Sequence, residues 1–380
     1  MSNGNSINSF KQMIHRYLKQ SSYVKTLSEE CPFFPQHVHI GPTNVCNLRC
    51  IHCHYHVNEL GKTAINRKKG MMTLDLHSKI IDEIAPLNCS VTYAIHGEPT
   101  LNKHFLDMVA YAKKNQLFTS LLTNGTRVNN EMAKKLLELK LDRIVFSFDA
   151  VDKKLYEKIR VGAIYEKVMY NILNFIKLNH ENGHHTHVCL SIILQNRTKN
   201  HISKYKKYFN KLPIDKIFVS NLLTLSGGSG VSNEIKFNET NHNECKNSSI
   251  CRIPWEDLAV TWDGDVIVCP LDYNVYYSIG NVSKQSLFEL WNNDRIKQFR
   301  KAQMNKDFKY IEKNGPLCSQ CNCLNDSEYD ISNYDDFAVE AIYRNAIHYA
   351  KQLFEKKEQE VDSHNKFQNL LKELDKFSNY

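Results

Sequence analysis

Short apolar runs with the composition of β-strands alternate with amphipathic helical patterns from Val38 to Asn221. Such alternation predicts βαβ units, and therefore a parallel sheet with helices outside it. The predicted strands are Val38–Ile40, Val91–Ile95, Phe118–Leu122, Arg143–Phe148, His187–Leu194 and Lys216–Asn221. The predicted helices are Leu74–Ile84, Phe105–Lys114, Glu131–Leu139, Tyr165–Leu178 and Ile202–Phe209. These six strands are too few for the closed eight-stranded barrel.

Three cysteines follow the first predicted strand at C-x3-C-x2-C spacing: Cys46, Cys50 and Cys53. Thiolates at such short spacing commonly hold an iron–sulfur cluster. Three ligands on a four-iron cluster leave one iron open to another molecule. Zinc is the alternative, but structural zinc normally has four protein ligands, and no second cysteine pair stands nearby.

This spacing resembles the signature of the radical S-adenosylmethionine (SAM) enzymes. The resemblance implies that the open iron of a [4Fe–4S] cluster binds SAM, which is cleaved to a 5′-deoxyadenosyl radical. It also implies an α/β fold, a curved and open (β/α)6 partial barrel. In such barrels the site lies at the C-terminal ends of the strands.

Further residues at the predicted strand ends resemble the SAM site of that family. Gly97 and Glu98 stand in a Gly-Glu-Pro motif, although His96 occupies a position that is usually glycine. The resemblance implies contacts with the SAM ammonium there, and with the ribose and methionyl carboxylate at the next strand ends. His52 stands where the family has a larger aromatic residue near the adenine. The remaining candidates are Asn124, Ser147, Asp149 and Arg160, and the arginine is expected to pair with the SAM carboxylate.

A second cysteine region contains Cys251, Cys269, Cys318 and Cys321. It resembles the auxiliary-cluster domain called SPASM, or its shorter twitch form, which implies a second, auxiliary [4Fe–4S] cluster. The full SPASM domain has about seven cysteines, and here only Cys323 follows Cys321. Four cysteines can ligate one cubane completely, whereas a zinc ribbon is the alternative. Whether Cys245 or Cys323 replaces one of the four ligands stays open.

The predicted function is hydrogen abstraction from a sugar- or cyclitol-type small molecule, with the second electron passing to the auxiliary cluster. Asp272, close to Cys269, is the candidate base, and a structural aspartate in a turn is the alternative. A second hypothesis is modification of a ribosomally made peptide, and a third is a non-catalytic iron–sulfur or zinc binding module. The residues before the first strand are too few for a leader-peptide-binding domain, which argues against the second hypothesis. Flavodoxin or ferredoxin is the expected electron donor.

Composition argues against several other classes of protein. The N-terminus has no apolar signal core, no apolar run reaches membrane-spanning length, and most of the 12 cysteines are clustered, so a cytoplasmic protein is expected. The net charge of +8 is modest and forms no basic stripe, so nucleic acid is not indicated as a partner. The predicted domains are an N-terminal helical lead-in (1–36), the barrel (37–240), the small auxiliary-cluster domain (241–330) and a helical C-terminal extension (331–380).

Overall fold

The computed structural model describes residues 28–31, 34–35, 37–53, 67–87, 89–222, 250–251, 253–314, 318 and 321, with 368, 369, 372 and 376. The strands are β1 His37–Ile40, β2 Ser90–Tyr93, β3 Thr119–Thr123, β4 Arg143–Ser147, β5 His187–Leu194, β6 Lys216–Asn221, β7 Asp257–Val260, β8 Asp265–Ile267 and β9 Ser278–Asn281. The α-helices are α1 Leu74–Ile84, α2 Phe105–Lys114, α3 Asn130–Glu138, α4 Lys153–Ile159, α5 Tyr165–Glu181, α6 Ile202–Phe209, α7 Ile253–Glu256, α8 Leu287–Trp291, α9 Asp294–Met304 and α10 Phe308–Asn314. Short 3-10 turns lie at Ala85–Leu87, Pro99–Leu101 and Lys199–His201.

The described strands form one sheet in the order β6-β5-β4-β3-β2-β1-β7-β8-β9. Strands β1 to β6 pair in parallel along the chain, which confirms the predicted six-stranded α/β partial barrel. Because the sheet ends at β6 on one side and β9 on the other, it is open. All six strands therefore direct their C-terminal ends to one edge, where the candidate residues lie.

Side-chain caps and apolar faces explain why the helices begin and pack where they do. The Thr73 and Asn129 side chains accept hydrogen bonds from backbone amides in the first turns of α1 and α3. Such N-caps satisfy donors that the helix itself leaves unpaired. Ile80, Ile81 and Ile84 of α1 are fully buried and share one helical face. The capping residues and the apolar faces therefore indicate the same helix positions. The five predicted helices are present within a few residues of their expected bounds.

The region of the second cysteine group continues the barrel sheet. Strand β7 pairs in parallel with β1, with Ile40 opposite Val260. Strands β8 and β9 then add antiparallel, and the hairpin turn between β7 and β8 has Gly264 at φ +86°, a conformation that favours glycine. The buried Arg300 guanidinium of α9 lies 4.4 Å from the Trp291 ring centre. The attachment of this hairpin to β1 was not predicted from the sequence.

Two predicted helical segments, in 1–36 and 331–380, fall almost wholly outside the described residues, so they stay predictions, as do the four domain limits. In the described part of the chain, no helix is both long enough and apolar enough to cross a membrane.

Candidate active site

The loop that carries Cys46, Cys50 and Cys53 follows β1 and is held by its backbone. The amides of Arg49 and Ile51 donate to the carbonyls of Val161 and Ile159, at 2.8 and 3.0 Å. These carbonyls lie at the C-terminal end of α4 and just beyond it. These two hydrogen bonds hold the cysteine loop against the C-terminal end of α4.

The thiols of this loop lie in a mostly buried site. Burial raises the pKa of the Cys46 thiol to about 11 and also raises that of Cys50. Arg160 opposes this effect at Cys50, because its Nη1 donates toward the Cys50 Sγ at 3.8 Å. A guanidinium beside this thiol stabilises the thiolate, which is the form that ligates iron. The thiols of Cys46, Cys50 and Cys53 therefore fit a cluster with three protein ligands.

Arg160 also forms a buried ion pair with Asp149 at the end of β4. Its Nε donates to Asp149 Oδ2 at 2.5 Å, and Asp149 Oδ1 accepts the Ile193 amide of β5 at 2.9 Å. Burial would raise the pKa of Asp149, but the charge of Arg160, then that of His52, and the Ile193 amide together hold it below the usual value. The pair ties the cysteine loop to β4 and β5. The structure therefore brings Asp149, Arg160 and Cys50 together, and pairing of Arg160 with SAM stays a prediction.

Glu98 connects the second and third strand ends. Its carboxylate accepts hydrogen bonds from the Thr100 hydroxyl at 2.6 Å, the Thr123 hydroxyl at 2.7 Å and the Asn124 amide at 2.8 Å. Its own amide donates to the Val45 carbonyl at 2.8 Å. Glu98 is 2% exposed, so this network holds the cysteine loop against β2 and β3 from within.

Gly97 lets two backbone segments approach closely, and this leads to a testable prediction. Its φ is +88°, and a Cβ there would lie 2.6 Å from the Thr43 carbonyl oxygen. Gly162 has a similar φ of +95°, but a Cβ there would lie no closer than 3.6 Å to its neighbours. We expect Gly162→Ala to cost about 1–2 kcal/mol of unfolding free energy, the ordinary left-handed penalty. Gly97→Ala should cost at least about 2 kcal/mol more because of the clash.

Urea unfolding of both variants measures that difference, with Gly162→Ala as the matched control. Equal losses of unfolding free energy in the two variants would show that the close approach at Gly97 does not affect stability. SAM affinity, measured on variants that retain their iron, reports whether the clash also distorts the site.

The remaining SAM candidates lie at the same edge. The side-chain Nδ2 of Asn124 donates to Asn47 Oδ1 at 3.0 Å, which links the third strand end to the cysteine loop. Ser147 ends β4 opposite Ser191 of β5. His52 is 8% exposed and close enough to Asp149 for its charge to affect that carboxyl's pKa. The predicted residues are therefore neighbours in space, and their individual roles stay predictions.

The four cysteines of the second group also lie near one another. Burial raises the pKa of the Cys318 thiol well above its usual value, and the nearby Cys269, Cys251 and Cys321 raise it further. The Cys321 amide donates to the Cys318 carbonyl at 3.1 Å, which brings these two residues together. The sequence-distant thiols are thus gathered at one place. Cys245 and Cys323 lie outside the described residues.

The spacing of these thiols bears on the choice between zinc and a cluster. Zinc requires four ligands at about 2.0–2.3 Å from a single point. A cubane instead takes each thiolate on a separate iron, so its ligands stand farther apart. Metal analysis of the purified protein distinguishes the two.

The carboxylate of Asp272, the candidate base, accepts hydrogen bonds from backbone amides of its own loop. Oδ1 accepts the Tyr276 amide at 3.1 Å and Oδ2 accepts the Tyr277 amide at 2.8 Å. Burial raises its pKa, and these amides oppose that effect. The contacts favour the alternative of a turn-stabilising aspartate, while the catalytic role stays an untested prediction.

Two features of the site were missed by sequence reasoning. The His96 ring stacks on Tyr273, with the ring centres 4.7 Å apart. Burial raises the pKa of Tyr273, and the nearby Cys53 and Cys269 thiols raise it further. This pair therefore lies between the two cysteine groups. Gln195, just beyond β5, is fully buried. The replacement of glycine by His96 was a visible signal, whereas nothing in the sequence distinguished Gln195.

Comparison with family models gives two matches. Residues 40–204 match the radical SAM superfamily, and residues 251–322 match SPASM, an iron–sulfur cluster-binding domain. The first range contains the three-cysteine loop and the strand-end residues. The second contains the four auxiliary cysteines and ends directly after Cys321.

Curated relatives match over most of the chain. A tungsten-containing aldehyde ferredoxin oxidoreductase cofactor-modifying protein of Pyrococcus furiosus is 28% identical over 330 residues, covering 76% of this chain and 87% of the relative. A cysteine-type anaerobic sulfatase-maturating enzyme of Clostridium novyi is 26% identical over 345 residues, with the same two coverages.

Among solved structures, anSMEcpe with bound AdoMet is similar, with a TM-score of 0.58 and 20% identity. The match covers 84% of this chain and 99% of that one. At this identity the similarity shows the fold alone, and it agrees with an open parallel barrel followed by a smaller C-terminal region.

Proposed function

The chain belongs to the radical SAM superfamily and carries a SPASM iron–sulfur domain, and from this we propose that it catalyses a net two-electron oxidation of a small molecule. Its relatives are enzymes of radical chemistry, and the cofactors are SAM, a SAM-binding [4Fe–4S] cluster and auxiliary iron–sulfur. When bound, these groups supply a hydrogen-abstracting 5′-deoxyadenosyl radical and an acceptor for the second electron. The chain's own residues hold and orient them.

The observation that carries this proposal is the gathering of Cys251, Cys269, Cys318 and Cys321 around one place. Four protein thiolates leave a cubane without an open iron. A cluster held this way has no position for substrate, and we propose electron transfer as its role. Tyr273 is near both Cys269 and Cys53, so the two cluster sites flank a common region.

Cys46, Cys50 and Cys53 would hold the SAM-binding cluster. Arg160 orients Cys50 and keeps Asp149 ionised, while Glu98 fixes the neighbouring strand ends. Burial of these groups excludes water, which strengthens their hydrogen bonds to a bound ligand. We propose Cys251, Cys269, Cys318 and Cys321 as the ligands of one auxiliary cluster, and flavodoxin or ferredoxin as the electron donor.

The proposed substrate is a sugar- or cyclitol-type molecule. The relative from Pyrococcus furiosus, which by its name modifies a cofactor, supports a small-molecule substrate in general but does not specify this class. A peptide is the second candidate, since the Clostridium novyi relative is by its name a sulfatase-maturating enzyme.

A substrate panel tests the proposal. Reconstituted protein, SAM and dithionite are incubated with deuterated cyclitols and hexoses, or with synthetic cysteine- and serine-containing peptides. We expect one class to raise deoxyadenosine formation at least about tenfold above the substrate-free level, with deuterium in the deoxyadenosine and a product lighter by about two hydrogens. Stimulation by peptides alone would replace the small-molecule proposal. A product that retains both hydrogens would rule out net oxidation.

A further inference from the structure

One residue of the cysteine loop faces solvent between two buried neighbours. Arg49 is exposed, whereas Leu48 and Cys50 on either side of it are buried. The Arg49 amide donates to the Val161 carbonyl at 2.8 Å. The turn that follows α4 therefore lies directly against the loop that carries the proposed cluster ligands, and both reach the protein surface there.

Two apolar side chains of this turn are exposed. Val161 is 42% exposed and Ile164 is 55% exposed. They belong to one tight turn, because the Ala163 amide donates to the Arg160 carbonyl at 2.9 Å. Two neighbouring apolar side chains are too few for a permanent interface, but they suit the centre of a small, transient one.

Exposed basic side chains lie on either side of this turn. Lys154 and Lys158 are exposed and four residues apart, so they share one face of α4. Arg127, also exposed, comes directly after Thr126, whose hydroxyl accepts a hydrogen bond from Asn47 Nδ2 at 2.8 Å. Asn47 is part of the cysteine loop. The cations of α4 and of the segment after β3 therefore flank the same loop.

The acidic residues of the α4 segment are already bonded within it. Glu157 Oε1 accepts the Tyr165 amide at 3.0 Å. Glu166 forms an ion pair with Lys153, and the Asp152 side chain caps α4. Among the residues that the structure describes, no carboxylate pairs with the exposed cations, so their charge is available to a partner. We name the following six side chains the basic surface: Arg49, Arg127, Lys154, Lys158, Val161 and Ile164.

The basic surface is close to the place where an electron must enter. Cleavage of SAM in the proposed function consumes one electron, which a separate reductant supplies. Arg49 is covalently joined to Cys50, so their Cα atoms are about 3.8 Å apart. A protein that contacts the basic surface is therefore one residue away from a proposed ligand of the SAM-binding cluster.

We propose that the basic surface is the docking site of a small one-electron carrier protein that is acidic around its redox group, the class that includes flavodoxin and ferredoxin. The carrier's acidic groups face the four cations, and the two apolar side chains form the centre of the contact. The reduced carrier loses one electron and the SAM-binding cluster gains it. Charge complementarity of this kind speeds encounter and fixes orientation. The inference rests on the proposed function and adds to it the surface where its electron enters.

The charge-reversed variant Arg127→Glu/Lys158→Glu tests the inference by binding. Its affinity for oxidised flavodoxin, and in parallel for oxidised ferredoxin, is measured by anaerobic calorimetry on reconstituted protein with wild-type iron content. We expect the variant to bind the carrier at least about tenfold more weakly at low salt, because attraction becomes repulsion. The difference should shrink at about 0.5 M salt, where exposed charges are screened.

Two reductants separate docking from chemistry in the same variant. SAM cleavage driven by limiting reduced carrier should slow at least about tenfold, because fewer productive encounters occur. Cleavage driven by dithionite should stay at the wild-type rate, since a small ion reaches the cluster without docking on this surface.

Lys114→Glu/Lys211→Glu is the matched control, because it changes the net charge by the same amount. Lys114 ends α2 and Lys211 follows α6, so both exposed residues lie at the edge of the sheet where the next strands begin. That edge is opposite to the cysteine loop. We expect this variant to bind the carrier within about twofold of wild type, since distant exposed charges are screened.

Ile164→Ser tests the apolar centre of the surface. Ile164 is the N-cap residue of α5 and makes no side-chain capping bond, whereas serine is a favoured N-cap. We expect an unchanged or higher melting temperature, but carrier affinity that is about threefold weaker or more at both low and high salt, because apolar contact is not screened. A purely structural isoleucine would lower the melting temperature and leave carrier affinity unchanged.

Equal carrier affinity in wild type and Arg127→Glu/Lys158→Glu would overturn the proposal. An equal loss in Lys114→Glu/Lys211→Glu would also overturn it, because only net charge would then matter. Wild-type dimers in sedimentation that the first variant does not form would assign the surface to a second copy of this chain. Wild type that does not cleave SAM with dithionite would instead reject the proposed function. If the first variant loses iron, Lys154→Glu/Lys158→Glu replaces it and should show the same selective loss of carrier binding.

Discussion

Replacement of Cys46, Cys50 and Cys53 by alanine is expected to abolish SAM cleavage, with deoxyadenosine formation falling by roughly a thousandfold or more. The physical reason is that these thiolates are the protein's proposed ligands to the cluster that binds SAM. Iron should fall from about eight to about four per chain, since the auxiliary cluster keeps its own four ligands. Iron analysis and anaerobic chromatography of the products measure both quantities.

Cys89→Ala is the control for this experiment. Cys89 is buried immediately before β2, and its Sγ lies 3.2 Å from the Pro35 carbonyl, away from the C-terminal strand ends. It should retain iron and deoxyadenosine formation near wild-type levels. Persistent SAM cleavage in the triple variant would mean that another group of residues holds the active cluster.

In the double variant Cys251→Ala/Cys269→Ala, the auxiliary cluster should be lost and the SAM-binding cluster retained. About four irons should be lost, SAM should still be cleaved, and oxidised product should fall by roughly a hundredfold or more because the second electron has no acceptor. Iron, zinc, deoxyadenosine and product are measured on the same anaerobic samples. Separation of SAM cleavage from product formation is the signature of an auxiliary electron acceptor.

The same variant distinguishes the zinc ribbon from the cluster. If wild type contains about four irons and one zinc, and the variant loses only zinc, the auxiliary-cluster proposal fails. The oxidation proposal would then lose its electron acceptor. If product formation survives without the cluster, the four cysteines have a structural role only.

The fold was predictable where local patterns decide it. Helices such as Phe105–Lys114 and the strand His187–Leu194 have the expected bounds, because apolar periodicity and burial agree there. The pairing of β7 with β1 was not predictable in this way. It joins His37 to Asp257, and no local pattern shows which strand edge a distant segment will join.

The site was predictable as a set of residues but not as a network. Short cysteine spacing restricts the chemistry, so Cys46, Cys50 and Cys53 could be identified directly. The contacts of Asp272 depend on a local turn that brings the Tyr276 and Tyr277 amides to its carboxylate. The complete burial of Gln195 depends on every neighbour around it, which a sequence does not show. Burial and hydrogen-bond pairing were therefore the information that the structure added.

Iron content and SAM cleavage by reconstituted wild-type protein test the central proposal most directly. We expect about eight irons per chain, negligible zinc, and deoxyadenosine that forms only when dithionite or a reduced flavodoxin is present. Mössbauer spectra of the same sample should show two cubanes. About four irons with no deoxyadenosine under reducing conditions would contradict a radical enzyme and leave a metal-binding module.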